Sequence, residues 1–101
     1  MRVMVLFDLP VGTAAERKEY ARFRKFLVRS GFVMMQESVY TKIVLTPAAA
    51  AAAIRHIRDA SPAEGLIQVL TVTEKQFAGM ELIIGSPQRE IVDSDERLVV
   101  L

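Results

Sequence analysis

Apolar and polar residues follow one another in short blocks along this chain, and the blocks predict a β-α-β-β-α-β order of elements. Residues 2–8 contain a continuous apolar run that is typical of a strand buried on both faces. Residues 66–73 form another predicted strand, with five apolar residues: Leu66, Ile67, Val69, Leu70 and Val72. Two β-rich segments, residues 32–36 and 38–45, lie between the predicted helices and are separated by Glu37. These two segments form either a hairpin or one long strand bent by a bulge.

Two helices carry recognisable start signals. Thr13 with Glu16 three residues later matches a capping box, and it predicts a helix that ends near Gly31. Thr46 followed by Pro47 predicts the start of an alanine-rich helix that ends before Pro62. Apolar residues at helical spacing predict the core-facing side of the first helix: Tyr20, Phe23, Phe26 and Leu27.

This order of elements predicts an α+β domain of the ferredoxin-like class, with an antiparallel four-stranded sheet and both helices on one face. Right-handed crossovers place the first and third strands in the centre. We expect residues 1–78 to form this core and residues 79–101 to form a C-terminal tail. The tail contains two strand-like segments, residues 82–84 and 98–101, that have no partner in the predicted sheet. They are expected to pair with a partner chain.

The composition limits the classes of protein to which the chain can belong. A length of 101 residues indicates one domain, and the absence of cysteine excludes disulfides and thiolate sites. No stretch reaches the roughly 18 apolar residues that a membrane span requires. Asp8 and Pro10 also interrupt the N-terminal apolar run too early for a signal peptide. We therefore expect a cytoplasmic protein with no membrane partner.

Charge is distributed unevenly although the net charge is only +1. Residues 1–58 contain ten Lys and Arg against four acidic residues, whereas the chain from Glu74 onward contains six acidic and three basic residues. This gradient predicts one basic face and an acidic tail.

Asp8 ends the first apolar run and is the strongest candidate for chemistry. A buried, unpaired carboxylate at the tip of a central strand would be costly, so we expect it to have a partner. One alternative is a turn that Asp8 caps together with Thr13. The other is Mg²⁺, which keeps most of its waters and needs only one or two protein carboxylates. A two-fold axis near the strand tip would bring two copies of Asp8 together around one such ion.

The first predicted helix contains six of the thirteen basic residues. Four of them are spaced four, three and four residues apart, so they form one row opposite the apolar side, without interleaved acids: Lys18, Arg22, Lys25 and Arg29. Such a row suits a phosphate backbone, although a solvated helix face has the same pattern. Ser38 is either a phosphate or water ligand or a simple strand-edge hydroxyl, and His56 is expected to be an exposed surface residue. No His/Cys cluster suggests zinc, and the isolated Gly12 does not make a phosphate loop.

Four segments together resemble a known family, the small CRISPR-associated protein Cas-two, and in particular its branch from systems with a single large effector nuclease. The segments are VLFDLP, ERKEYARFRKFL, GFVMMQESVYTKIV and LTVTEKQF. The resemblance runs in order and spacing from residue 1 to about residue 85, and the final RLVVL is also similar to that branch. The strand–Asp–Pro–basic helix opening combined with Q-x-S-V-Y is its most specific part.

The resemblance implies a ferredoxin-like homodimer whose two sheets pack face to face. It implies that Asp8 corresponds to the family's catalytic, magnesium-associated aspartate, with weakly bound Mg²⁺ shared between subunits. It further implies basic residues for nucleic acid at Arg17 and Lys18, and tail contacts to the dimer partner and to the CRISPR integrase. The family acts in spacer acquisition, where it lies along double-stranded DNA between two dimers of the integrase. Its members are also described as metal-dependent nucleases that act on RNA or on double-stranded DNA.

Three functional hypotheses follow. The first is a homodimer that binds double-stranded DNA and scaffolds the integrase during spacer acquisition. The second is a magnesium-dependent endonuclease centred on the Asp8 pair, compatible with the first. The third is an RNA-binding or small-molecule regulatory domain without nuclease activity. An RNA-reading sheet would need exposed aromatics on its central strands, for which Phe7 is the one candidate.

Overall fold

The computed structural model describes residues 1–86. Its elements, in chain order, are β1 (Arg2–Asp8), α1 (Ala14–Arg29), β2 (Val33–Gln36), β3 (Val39–Ile43), α2 (Pro47–Ala60), β4 (Leu66–Val72) and α3 (Glu74–Ala78). The four strands form one antiparallel sheet in the order β2-β3-β1-β4. This confirms the ferredoxin-like α+β fold, with β1 and β3 in the centre.

The helices begin and end where the sequence signals predict. The Thr13 hydroxyl accepts a hydrogen bond from the Glu16 N–H, while the Glu16 carboxylate accepts one from the Thr13 N–H, which completes the capping box. The Thr46 hydroxyl accepts from the N–H of Ala49 at the start of α2. At the end of α1, Gly31 adopts a φ of 92°, and the Lys42 ammonium donates to the Ser30 carbonyl at 2.7 Å.

One face of the sheet is covered by α1 and α2, and the core lies between them. Val3, Val5 and Phe7 of β1 point toward the helices and are buried. The ring of Phe7 contacts the ring of Phe23 edge to face, with centroids 5.3 Å apart. Phe7 is therefore a core residue and is not available to stack on RNA bases, which removes the one aromatic candidate for an RNA-reading sheet.

The opposite face of the sheet, here called the open face, carries the alternate side chains of each strand. The strand register aligns Leu6 of β1 with Val39 of β3 and with Gln68 of β4, and Met4 with Leu70. Several large apolar side chains on this face are exposed within the chain: Leu6, Val33, Ile43, Leu66 and Leu70. Several exposed large apolar side chains on one face are typical of an interaction surface.

Of the two alternatives for residues 32–45, the structure contains the hairpin, with a register shift between Met34 and Gln36. Three other details differ from the sequence prediction. The turn of that hairpin includes Ser38, so β3 begins one residue later than predicted. A short helix, α3, follows β4 and was not predicted. Residues 82–84 form no strand within the described part of the chain, and residues 98–101 lie outside it.

The position of α3 is determined by contacts at the start of β1. The Arg2 Nε lies 3.1 Å from both carboxylate oxygens of Glu74, and its guanidinium lies 3.9 Å from the centre of the Phe77 ring. Across residues 1–86, no helix combines the length and the hydropathy that a membrane crossing requires.

Candidate functional site

Asp8 is the last residue of β1, and its side chain lies on the open face. It pairs in register with Leu66 of β4 and is exposed to solvent. This corrects the expectation of a buried carboxylate, because an exposed one incurs little desolvation cost and needs no protein partner. Within residues 1–86 the Asp8 carboxylate accepts no hydrogen bond, and the Thr13 hydroxyl is engaged by Glu16. The turn-capping alternative is therefore not what the structure contains.

The backbone around Asp8 is held by two neighbouring loops. The Phe7 N–H donates to the Ser38 carbonyl at 3.1 Å, which attaches the β2–β3 turn to the end of β1. On the other side Gly65, with a φ of 108°, packs against residues 8 and 9 so closely that an added Cβ would lie 2.6 Å from Leu9 Cδ2 and 3.0 Å from the Asp8 carbonyl oxygen. Only glycine satisfies both the dihedral angle and this approach. The backbone at Asp8 is thus held on both sides, and its carboxylate forms no hydrogen bond within residues 1–86.

Asp8 lines a shallow cavity of about 200 Å³, together with Leu6, Phe7, Leu66 and Gln68. Among residues 1–86 there is no group of three or more His, Cys, Asp or Glu that could hold a metal ion. One exposed carboxylate fits a hard cation that keeps most of its own waters, and it does not fit an ion that requires a complete protein coordination shell. A second copy of the chain would be needed to supply a second carboxylate.

The basic row of α1 is exposed, but its members differ in what they contact. Arg22 donates to the Glu19 carboxylate at 2.9 Å and to the Ala60 carbonyl at the end of α2 at 3.1 Å. The hydrogen bonds from Arg22 lower the pKa of Glu19 from its ordinary value. The expectation that no acid interrupts the row is therefore wrong at this position, because Glu19 pairs with Arg22 where α1 meets the end of α2.

Three of the five basic residues predicted to bind nucleic acid form no side-chain hydrogen bond or ion pair within the described chain: Lys18, Lys25 and Arg29. Arg17 is partly engaged, since its Nη1 donates to the Val11 carbonyl at 3.1 Å and closes the loop after β1. Ser38 lies in the β2–β3 turn, next to the Asp8 end of β1, and is not part of strand β3. Ser38 and Asp8 thus lie at one end of the sheet, while the α1 row runs along the helix layer.

Sequence reasoning missed the contact that Arg24 of α1 makes with the core. The Arg24 Nε donates to the hydroxyl of the buried Tyr40 at 2.9 Å. At 100° per residue, Arg24 lies on a different side of α1 from the basic row. That position in the helix is the sequence signal that could have indicated a separate role for Arg24. His56 is exposed on α2, as predicted.

Comparison with known proteins agrees with this geometry. The family model described as CRISPR associated protein Cas2 matches residues 1–80. A protein of Treponema denticola named CRISPR-associated endoribonuclease Cas2 is 54% identical over 101 residues, which cover the whole of both chains. A protein of the same name from Streptococcus mutans is 48% identical over 101 residues, covering all of this chain and 93% of the relative.

The fold also has a solved counterpart. The crystal structure of Streptococcus pyogenes Cas2 at pH 6.5 aligns with a TM-score of 0.63 at 24% sequence identity, and the alignment covers 82% of this chain and 99% of that one. This structural match establishes the fold, whereas the family model and the sequence relatives establish the family. On the match over residues 1–80 and the full-length relatives, this chain belongs to the CRISPR-associated protein Cas2 family.

Proposed function

We propose that the protein acts in CRISPR adaptation as a homodimer that binds double-stranded DNA along α1 and scaffolds the CRISPR integrase. The observation that carries the proposal is the division of the molecule into two unlike faces. The open face of the sheet carries exposed Leu and Ile side chains, whereas the helical layer on the other side presents α1 cations that form no hydrogen bond or ion pair within residues 1–86. Self-association through the first face leaves the second available to a duplex.

The dimer part of the proposal rests on the apolar area of the open face. Leu66 and Leu70 of β4 are each more than half exposed in the isolated chain, and Ile43 of β3 lies on the same face with similar exposure. Burial of such surface is worth roughly 25 cal/mol for each Å² removed from water. A two-fold contact between these faces also places two copies of Asp8 on one interface.

The DNA-binding part rests on Lys18, Lys25 and Arg29. These cations form no hydrogen bond or ion pair among residues 1–86, so a phosphate oxygen would not have to displace a bonded protein carboxylate from them. Contacts of this kind position a duplex without reading its bases. We therefore expect similar affinity for duplexes of unrelated sequence and a steep loss of affinity as salt rises.

A salt titration of duplex binding tests this part. Each cation that neutralises a phosphate contributes about 0.9 to the slope of log K against log salt, so a substitution present in both protomers should lower that slope by about 1.8. We expect that reduction for Lys18→Gln, Lys25→Gln and Arg29→Gln. Arg22→Gln should change the slope less, because Glu19 and the Ala60 carbonyl already occupy this guanidinium.

Lys75→Gln is the matched control, because Lys75 is an exposed cation that lies outside the α1 row. It belongs to α3, which contacts Arg2 at the start of β1. Its slope should equal that of the unaltered protein. Equal slopes for the α1 variants and the control would contradict the assignment of α1 as the DNA-binding surface.

A second activity is compatible with the first and is favoured by one observation. Asp8 presents a carboxylate without a protein partner on the open face, beside a cavity large enough for a hydrated ion. We propose that two Asp8 carboxylates, one from each protomer, hold a hydrated Mg²⁺ and that the protein cuts phosphodiester bonds weakly. Bound there, the ion would neutralise charge on the scissile phosphate and lower the pKa of an attacking water.

The integrase is proposed to contact the C-terminal segment. Leu82, Ile83 and Ile84 are among the most exposed apolar residues of the described chain. Such residues favour a protein partner over solvent. Purified integrase from the same locus should bind the unaltered protein and lose affinity for a variant that carries Ser at these three positions.

A further inference from the structure

A second polar side chain shares the Asp8 cavity. Gln68 lies on β4, where it pairs in register with Leu6, while Asp8 pairs with Leu66. Residues 6 and 8 of β1 and residues 66 and 68 of β4 therefore project from the same face, and Gln68 is a diagonal neighbour of Asp8. Such neighbours lie about 7–8 Å apart, within reach of a long side chain.

Gln68 and Asp8 are the two polar side chains in the lining of this cavity, and the others are Leu6, Phe7 and Leu66. Neither polar group forms a side-chain hydrogen bond within residues 1–86. Gln68 and Asp8 are both exposed in the isolated chain, and the homodimer proposed above would cover them. A covered amide or carboxylate is costly unless it is hydrogen-bonded, so in the dimer these two groups call for a ligand that both can share.

We infer that Gln68 is a positioning residue of the Asp8 cation site: its amide oxygen accepts a hydrogen bond from a water of the hydrated divalent ion that Asp8 holds. The inference rests on the cation site proposed above. Mg²⁺ retains several waters when few protein ligands are available, and those waters are strong donors. The Gln68 side-chain carbonyl oxygen is a neutral acceptor on a diagonal neighbour of Asp8, so it would hold one of these waters and fix the orientation of the ion without adding charge.

Titration of Mn²⁺, used alone as the probe and followed by electron paramagnetic resonance, tests the inference without measuring cleavage. Removal of an outer hydrogen-bond partner typically lowers metal affinity by about 10- to 100-fold, and we expect a decrease of this size for Gln68→Leu. Gln68→Glu keeps the shape and adds a carboxylate, so it should bind Mn²⁺ more tightly than the unaltered protein. Gln36→Leu, the same change on edge strand β2 outside this cavity, should bind Mn²⁺ as the unaltered protein does.

Sedimentation of each variant in the same buffer controls for self-association. The Mn²⁺ titrations are compared at protein concentrations where all variants have the same oligomeric state. One outcome would overturn the role of Gln68 and leave the Asp8 site standing: Gln68→Leu binds Mn²⁺ within twofold of the unaltered protein, whereas Asp8→Asn no longer binds Mn²⁺. Unchanged Mn²⁺ binding by Asp8→Asn would overturn the cation site itself, and the inference with it.

Discussion

Asp8→Asn should reduce magnesium-dependent cleavage of nucleic acid by at least about 100-fold. The substitution keeps the size of the side chain but removes the one carboxylate in the cavity at the end of β1. A metal ion contributes several kcal/mol of charge stabilisation to phosphodiester cleavage, and each 1.4 kcal/mol corresponds to about a factor of ten in rate. Duplex binding should remain, because Asp8 lies on the open face and the free cations lie on α1.

The measurement is single-turnover cleavage of a labelled substrate with and without Mg²⁺, alongside the binding isotherm of the same preparation. Asp59→Asn is the matched control, since Asp59 is an exposed aspartate on α2. Cleavage by Asp8→Asn at the rate of the unaltered protein would show that any nuclease activity arises elsewhere. Retained binding together with abolished cleavage is the pattern that the two proposed activities predict jointly.

Leu70→Glu should separate the dimer. Leu70 lies on the open face next to Met4 and is 55% exposed in the isolated chain. In a symmetric contact the change introduces two carboxylates into one apolar interface, at a cost of roughly 2 kcal/mol or more for each. We therefore expect the dissociation constant of the dimer to rise by about a thousandfold.

Sedimentation equilibrium measures this constant directly. Val28→Glu is the control, because Val28 is 48% exposed but lies on α1, away from the open face. It should leave the dimer intact, and both variants should retain the far-ultraviolet circular dichroism of the fold. A Leu70→Glu protein that remains dimeric would exclude the open face as the contact surface.

Elements with their own local signals could be predicted almost to the residue. The pairs Thr13 with Glu16 and Thr46 with Pro47 specify helix starts through hydrogen bonds made within one turn, so no distant contact is needed. The helix α3 has the same signal, Thr73 with Gln76, which forms a complete capping box. The sequence did not reveal α3 because its five residues directly follow a strand and because its position depends on contacts with the distant Arg2.

The site was harder to predict because its properties depend on packing. A continuous apolar run does not reveal which side of β1 faces the helices, so the exposure of Asp8 and the burial of Phe7 could not be read from residues 2–8 alone. The pairing of Arg22 depends on where α1 meets the end of α2, and Gln68 meets Asp8 through the β1–β4 register. None of these contacts has a short-range sequence pattern.

The central claim is that two copies meet through the open face with their Asp8 side chains near the two-fold axis and their α1 helices outward. The chain contains no cysteine, so one substitution introduces a unique reactive thiol. A short bismaleimide linker should convert Asp8→Cys into a covalent dimer on a denaturing gel and should leave Lys25→Cys on α1 as a monomer. Efficient linkage of Lys25→Cys with none of Asp8→Cys would contradict the arrangement.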